Sequence, residues 1–209
     1  WQAYPLLYFG MLNSDPTFLL KNNLKIKLRV NSTDIHAFTN VWIVEEYNVH
    51  KLPFKENDIV IDIGAHIGIF TIYISQFCTK GRIFCFEPIK ENYDILSYNI
   101  NLNQLNNVKI FPKAVTDKSE ITKMFLSSDA AAHSLFLKGP KYVEVESISL
   151  KEIIDSNKIK KCNLLKLDCE GSEYIILNSL PNEYFECIEK IVMEYHLADE
   201  QPELVESLV

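Results

Sequence analysis

The sequence predicts a doubly wound α/β domain behind an N-terminal cap extension, and three observations carry that prediction. From Asn57 onward, short runs rich in β-branched and aromatic residues alternate with longer segments of helical period, the pattern of βαβ units on a parallel sheet. The short runs are apolar almost throughout, as strands covered by helices on both faces have to be. The first of them empties into a glycine-bearing turn that opens a helix, Asp62-Ile63-Gly64-Ala65-His66-Ile67-Gly68.

Residues 1–56 form the expected cap, where residues 24–30 alternate apolar and basic side chains like an edge strand. Residues 57–209 form the domain. Its strands are expected at Ile59–Ile63, Arg82–Phe86, Val108–Phe111, Leu164–Leu167 and 190–195. Helices are expected at 67–77, 90–103, 150–157 and 172–180. Residues 123–126 and 142–147 depart from the alternation; they flank a loop with Ala130-Ala131-Ala132-His133-Ser134 and suggest an antiparallel insertion or a lid.

Composition bounds the function. A chain of 209 residues, 47% hydrophobic and 23% charged, is long enough for one substantial core. A net charge of -7 disfavours nucleic acid as a partner, since a sequence-independent grip on phosphate needs many Lys and Arg contacts. Five cysteines without CxxC spacing read as reduced thiols, and the longest apolar run, 67–74, is far shorter than the roughly 20 residues that span a bilayer. A cytoplasmic protein without a membrane span is expected, and the sequon Asn31-Ser32-Thr33 reads as chance.

The glycine loop is the most informative segment. Its glycines let backbone approach a ligand closely at a helix N-terminus. A dinucleotide fingerprint would carry glycine where His66 stands, and no Gly-Lys-Ser/Thr phosphate loop occurs anywhere. Asp62 repels a pyrophosphate and attracts an amine or a sulfonium; S-adenosylmethionine offers both cations and no phosphate. Glu87 closes the second strand ahead of Pro88, where a carboxylate accepts from ribose hydroxyls. Loop and acid together point to an adenosyl ligand.

With these residues in view the chain resembles the FkbM family of methyltransferases over residues 58–196. The carrying blocks are Asp62-Ile63-Gly64-Ala65-His66-Ile67-Gly68, Phe86-Glu87-Pro88, Asn99-Ile100-Asn101-Leu102-Asn103, Glu194-Tyr195-His196 and, most specific, Leu164-Leu165-Lys166-Leu167-Asp168-Cys169-Glu170-Gly171-Ser172-Glu173. The resemblance implies a class I methyltransferase (Rossmann-like) fold, S-adenosyl-L-methionine as cofactor and O-methylation of a small-molecule or glycan hydroxyl. It places Asp62, Gly64 and Gly68 along the methionine part, Ala65 and His66 among the cofactor-binding residues of the same loop, Glu87 on the ribose, and Ala114 and Val115, at the end of the third strand, against the adenine. His66 stands where the family pattern leads one to expect Asn. A final antiparallel hairpin would follow His196.

A hydroxyl acceptor needs a base, and candidates belong at the carboxyl ends of central strands. Asp168 and His196 satisfy this, with Asp168 also a candidate for the cofactor amine. Asp168, Glu170 and Glu173 crowd three carboxylates after one strand, which suggests a base, an amine contact or a bound cation; no metal set is assigned. Glu173 reads as a first-turn helix residue. His133 is an alternative entering from the lid, whereas His36 and His50 have no motif around them. Two rival functions stand beside the enzyme reading: a non-catalytic adenosyl- or partner-binding domain, opposed by intact Asp62, Glu87 and Asp168, and a nicotinamide oxidoreductase, opposed by His66.

Overall fold

Five parallel strands form the centre of the computed structural model, which describes residues 11–20, 22–48, 51–127, 133–135 and 140–194. They are β3 (Ile59–Ile63), β4 (Arg82–Phe86), β5 (Val108–Phe111), β9 (Leu164–Leu167) and β10 (Ile191–Met193), in the spatial order β10-β9-β3-β4-β5. The chain leaves β3 toward β4 on one side and later returns to β9 on the other, so the order reverses beside β3. Ligands of open α/β sheets bind at the carboxyl ends beside such a reversal.

Strand alternation divides the core in two. Val60, Ile83, Cys85 and Leu164 face α2 (Ile69–Ser75) and α3 (Lys90–Leu102). Ile61, Ile63, Phe84, Phe86, Leu165 and Leu167 face the side of α4 (Leu150–Ser156) and α5 (Glu173–Ser179). Each sequence-predicted strand and helix is present. α2 begins at Ile69 because Gly68 takes the left-handed φ of 88° before it. A four-residue helix, α6 (Asn182–Phe185), escaped the sequence reading because so short a segment shows no period.

One correction concerns Ala114 and Val115. They do not end the third strand: Pro112, which has no N–H to donate, follows β5 directly. The two residues instead lie on a separate strand, β6 (Ala114–Thr116), parallel to β8 (Tyr142–Ser149). β7 (Ile121–Phe125) pairs antiparallel to β8, giving the expected antiparallel insertion.

The N-terminal residues pack onto the helix side of the sheet. β1 (Thr17–Leu19) pairs antiparallel with β2 (Lys25–Lys27), and α1 (Asp34–Thr39) runs into a π-helical turn, Asn40–Val44, that Glu45 ends with φ 58°. α3 holds β2 as a partner strand would: Asn99 Oδ1 accepts from the Lys27 N–H (2.8 Å) and its Nδ2 donates to the Lys27 carbonyl (3.1 Å). Asn103 does the same at Lys25. These two side chains give the asparagine-rich block 99–103 a physical reason. All seven residues of α2 are buried, which a helix achieves only when covered on both sides. The sheet covers one; on the other, Trp42 donates to the Ile69 carbonyl (3.2 Å) and meets Tyr73 edge to face, and Tyr47 meets Phe70.

Candidate active site

A cavity of about 360 Å³ opens at the carboxyl ends of β3, β4, β9 and β10, walled on the outer side by the N-terminal residues. Gly64, Ala65, His66, Glu87, Ala114, Val115, Asp168 and Glu170 all line it. Asp62 and Gly68 do not. His196 lies outside the described residues, as does the expected hairpin after it.

The glycine loop is shaped by its own scaffold. Gly64 has φ 75°, and a Cβ there would stand 1.8 Å from the Asp168 carbonyl oxygen. Gly68 has φ 88°, and a Cβ would meet Leu96 of α3 at 2.7 Å. The glycines therefore allow close approach to the residue after β9 and to α3; Gly64 also lines the cavity, and Gly68 does not. The amides of Gly64 and Ala65 donate to the Phe86 carbonyl (3.1 and 3.0 Å), that of His66 to Glu87 Oε2 (2.9 Å) and that of Gly68 to the Ala65 carbonyl (2.8 Å). With those donors engaged, the loop has no nest of free amides for a pyrophosphate.

Glu87 is held at both oxygens. Oε2 accepts from His66, and Oε1 accepts from the Ile89 amide (2.9 Å) and from Asn92 Nδ2 (3.5 Å). Burial pushes its carboxyl up to about 7 against the pull of those donors. Each carboxylate oxygen retains acceptor capacity for a ribose hydroxyl. Beside it, Ile89, Ala114, Val115, Met124 and Leu135 make an apolar wall suited to a flat purine.

The floor contains a residue that the sequence reading passed over. Lys166 is 2% exposed on β9, with Nζ 3.4 Å from Asp62 Oδ1 and 3.3 Å from Asp168 Oδ2, donating to the Gly64 carbonyl (2.8 Å). Burial alone would lower its pKa; Asp168 and Asp62 outweigh burial and hold the ammonium above the ordinary lysine range, so it stays charged. Asp62, fully buried, also accepts from Thr71 Oγ1 (2.6 Å) while its Oδ1 has no hydrogen-bond partner. Asp62 thus sits beneath Lys166, not in the wall assigned to it from sequence. A lysine inside the apolar run Leu164–Leu167, flanked by two acids on adjoining strand ends, is the signal that could have revealed this cluster.

Tyr47 and Glu46 come from the N-terminal residues. The Tyr47 hydroxyl donates to Asp168 Oδ2 (2.9 Å). Glu46 stands on the rim, open to solvent as a residue, with its carboxyl facing Glu194, Asp168 and Lys166. Partial withdrawal from water, then the negative charges of Glu194 and Asp168, raise that carboxyl to about 7; Lys166 and the Asn40 side chain pull the other way. Glu170, at φ 55°, receives Ser134 Oγ on its carbonyl (2.6 Å), which ties Ser134 to the turn after β9. Glu173 is fully buried and accepts from the Cys169 and Gly171 amides (2.7 and 2.8 Å), so it closes the turn after β9.

A parallel sheet of this order, with its glycine loop after β3 and an acid closing β4, is the Rossmann-like arrangement that class I methyltransferase domains share. A family model described as the methyltransferase FkbM domain matches residues 62–208. The chain belongs to the FkbM methyltransferase family, whose methyl donor is S-adenosylmethionine. Among similar proteins, methyltransferase sdnD of Sordaria araneosa is 25% identical over 181 residues, covering 71% of this chain and 69% of that protein. The hexuronic acid methyltransferase AglP of Haloferax volcanii is 25% identical over 172 residues, covering 78% and 69%. The crystal structure of methyltransferase FkbM from Methylobacillus flagellatus superimposes with a TM-score of 0.56 at 16% identity, over 82% of this chain and 41% of that one. The chain therefore spans about two fifths of that protein's length. Among the described residues, no helix is long and apolar enough to cross a membrane.

Proposed function

We propose that this chain transfers the methyl group of S-adenosylmethionine to a hydroxyl of a small molecule or glycan. The observation that carries the reading is one cavity lined both by Glu87 with an apolar wall and by Thr33, His36, Asn40 and Glu46, groups that can hydrogen-bond a polar acceptor. S-adenosylmethionine supplies an electrophilic methyl on a sulfonium sulfur, and the residues fit it: Glu87 for the ribose, the apolar wall for the purine, carboxylates and no phosphate nest.

The acceptor proton needs a home as the new oxygen–carbon bond forms. Asp168 is already engaged by the Tyr47 hydroxyl and the Lys166 ammonium, so it suits orientation of a cation or of the acceptor better than proton removal. Glu46, which lines the cavity and titrates near neutrality, is the group suited to take the proton. His196 is the other base carried forward from the sequence. Five free cysteines, three of them buried, suit a reducing cytoplasm.

The test is incubation with S-adenosylmethionine and panels of uronic-acid glycosides and hydroxylated polyketides, read by mass spectrometry. An alkali-stable methyl ether is expected. An alkali-labile methyl ester would move the acceptor to a carboxylate, which needs no base, and absence of any methylated product across the panels would count against the reading as a whole.

A further inference from the structure

The family match begins at residue 62, yet a buried polar chain runs into the cofactor loop from well before it. Asp34, fully buried on α1, binds Arg29 three ways: Oδ2 accepts from the Arg29 amide (2.8 Å) and Nε (3.0 Å), and Oδ1 accepts from Nη2 (2.8 Å). The same Nη2 lies 3.0 Å from His66 Nε2. A guanidinium only donates, so Nε2 accepts and the imidazole proton resides on Nδ1. His66 then donates its backbone N–H to Glu87 Oε2. It does so from φ 50°, a conformation that a bulky side chain keeps only when its surroundings fix it.

We propose that Arg29, clamped by Asp34, is a positioning residue for cofactor binding: it fixes the His66 ring and, through the His66 backbone amide, the carboxylate of Glu87. The proposal rests on Glu87 holding the ribose. It accounts for histidine at a loop position where asparagine was expected, because the longer imidazole reaches the guanidinium. It also accounts for the neutral ring. Burial pushes the His66 imidazole down to about 4; Arg29 and Lys166 press the same way, and Asp34 and Asp168 oppose them. Asp34 and Arg29 act on the ring from the N-terminal residues, Lys166 from β9 and Asp168 from the residue just after it. Neutrality leaves Nε2 able to accept.

The test needs no acceptor. S-adenosylhomocysteine is titrated calorimetrically into wild type, Arg29→Met, Arg29→Lys, His66→Gly, the Arg29→Met/His66→Gly double variant and Glu87→Ala, while the His66 ring is titrated by NMR. Arg29→Met and His66→Gly should each weaken binding about 2- to 30-fold, the range for residues acting on a ligand through an intermediate. The double variant should be no weaker than the worse single one. Arg29→Lys, which still donates, should recover part of the affinity, and the His66 midpoint should rise in Arg29→Met as Asp34 is left to pair with the ring. Wild-type affinity in Arg29→Met beside weakened binding in Glu87→Ala overturns the relay alone. Unchanged affinity in Glu87→Ala overturns the ribose assignment and the relay with it. If Arg29→Met does not fold, His66→Gly decides, since it keeps the Arg29–Asp34 pair and a backbone that tolerates positive φ.

Discussion

Replacing Lys166 with Met should destabilise the domain severely while preserving its shape. Methionine retains an unbranched apolar stem but removes the ammonium that stands between Asp62 and Asp168 and donates to the Gly64 carbonyl. Asp62 is fully buried with one oxygen lacking any hydrogen bond, so its charge would be left uncompensated. Breaking a buried pair in this way costs about 3 to 5 kcal/mol. For a domain of this size each kcal/mol moves Tm by about 2 to 4 °C, so calorimetry should show a drop of roughly 6 to 20 °C. Adding Asp62→Asn should restore much of the loss, because the two residues share one interaction. A drop below about 1 kcal/mol, or strictly additive effects in the double variant, would refute the placement of Lys166 as the counter-ion of the site floor.

Three further outcomes follow from the same geometry. Gly64→Val puts side-chain atoms against the Asp168 carbonyl, so denaturant unfolding should show loss of the native state, not merely of cofactor binding; a stable Gly64→Val fold would contradict the φ of 75° and the 1.8 Å approach. The methylation rate should rise with pH through about 7, as Glu46 loses its proton and becomes a base, and Glu46→Gln should lower kcat by about 10² to 10⁴ and abolish that limb. If His196→Ala removes the limb and Glu46→Gln keeps it, the base is His196. Stability should also depend on His66: its folded pKa of about 4 lies below the ordinary 6.5, so its contribution is present above pH 6.5 and lost as pH falls toward 4. Urea titrations of wild type against His66→Asn across that window should show the acid loss only in the wild type.

Much of the sheet was legible because its strands are short, mostly apolar runs rich in β-branched and aromatic residues and bounded by loops. Ile59–Ile63, Arg82–Phe86, Val108–Phe111 and Leu164–Leu167 are strands at the expected bounds. The cavity wall was legible where a residue's type states its use: glycines at a strand-to-helix turn, and an acid closing the next strand. What stayed hidden depends on distant partners. Nothing local to Tyr47 says that its hydroxyl reaches Asp168, 121 residues away. Nothing near Arg29 and Asp34 announces His66, and Glu46 gains its character from partial burial in the fold and then from Glu194 and Asp168, both distant in sequence. Lys166 was readable in principle, and taking its run as simply apolar concealed it. The crowding of Gly64 by the Asp168 carbonyl was not legible, because a positive-φ glycine looks the same in sequence whether a ligand or a neighbouring backbone crowds it.

The most direct test is calorimetric titration of the intact chain with S-adenosylhomocysteine and, separately, with NAD. One S-adenosylhomocysteine site per chain is expected, weakened by about 1 to 3 kcal/mol in Glu87→Ala, the cost of leaving charged hydrogen bonds unmade, with no heat from NAD. Binding of NAD, or S-adenosylhomocysteine binding that Glu87→Ala leaves untouched, would contradict the assignment of this cavity to the methyl donor.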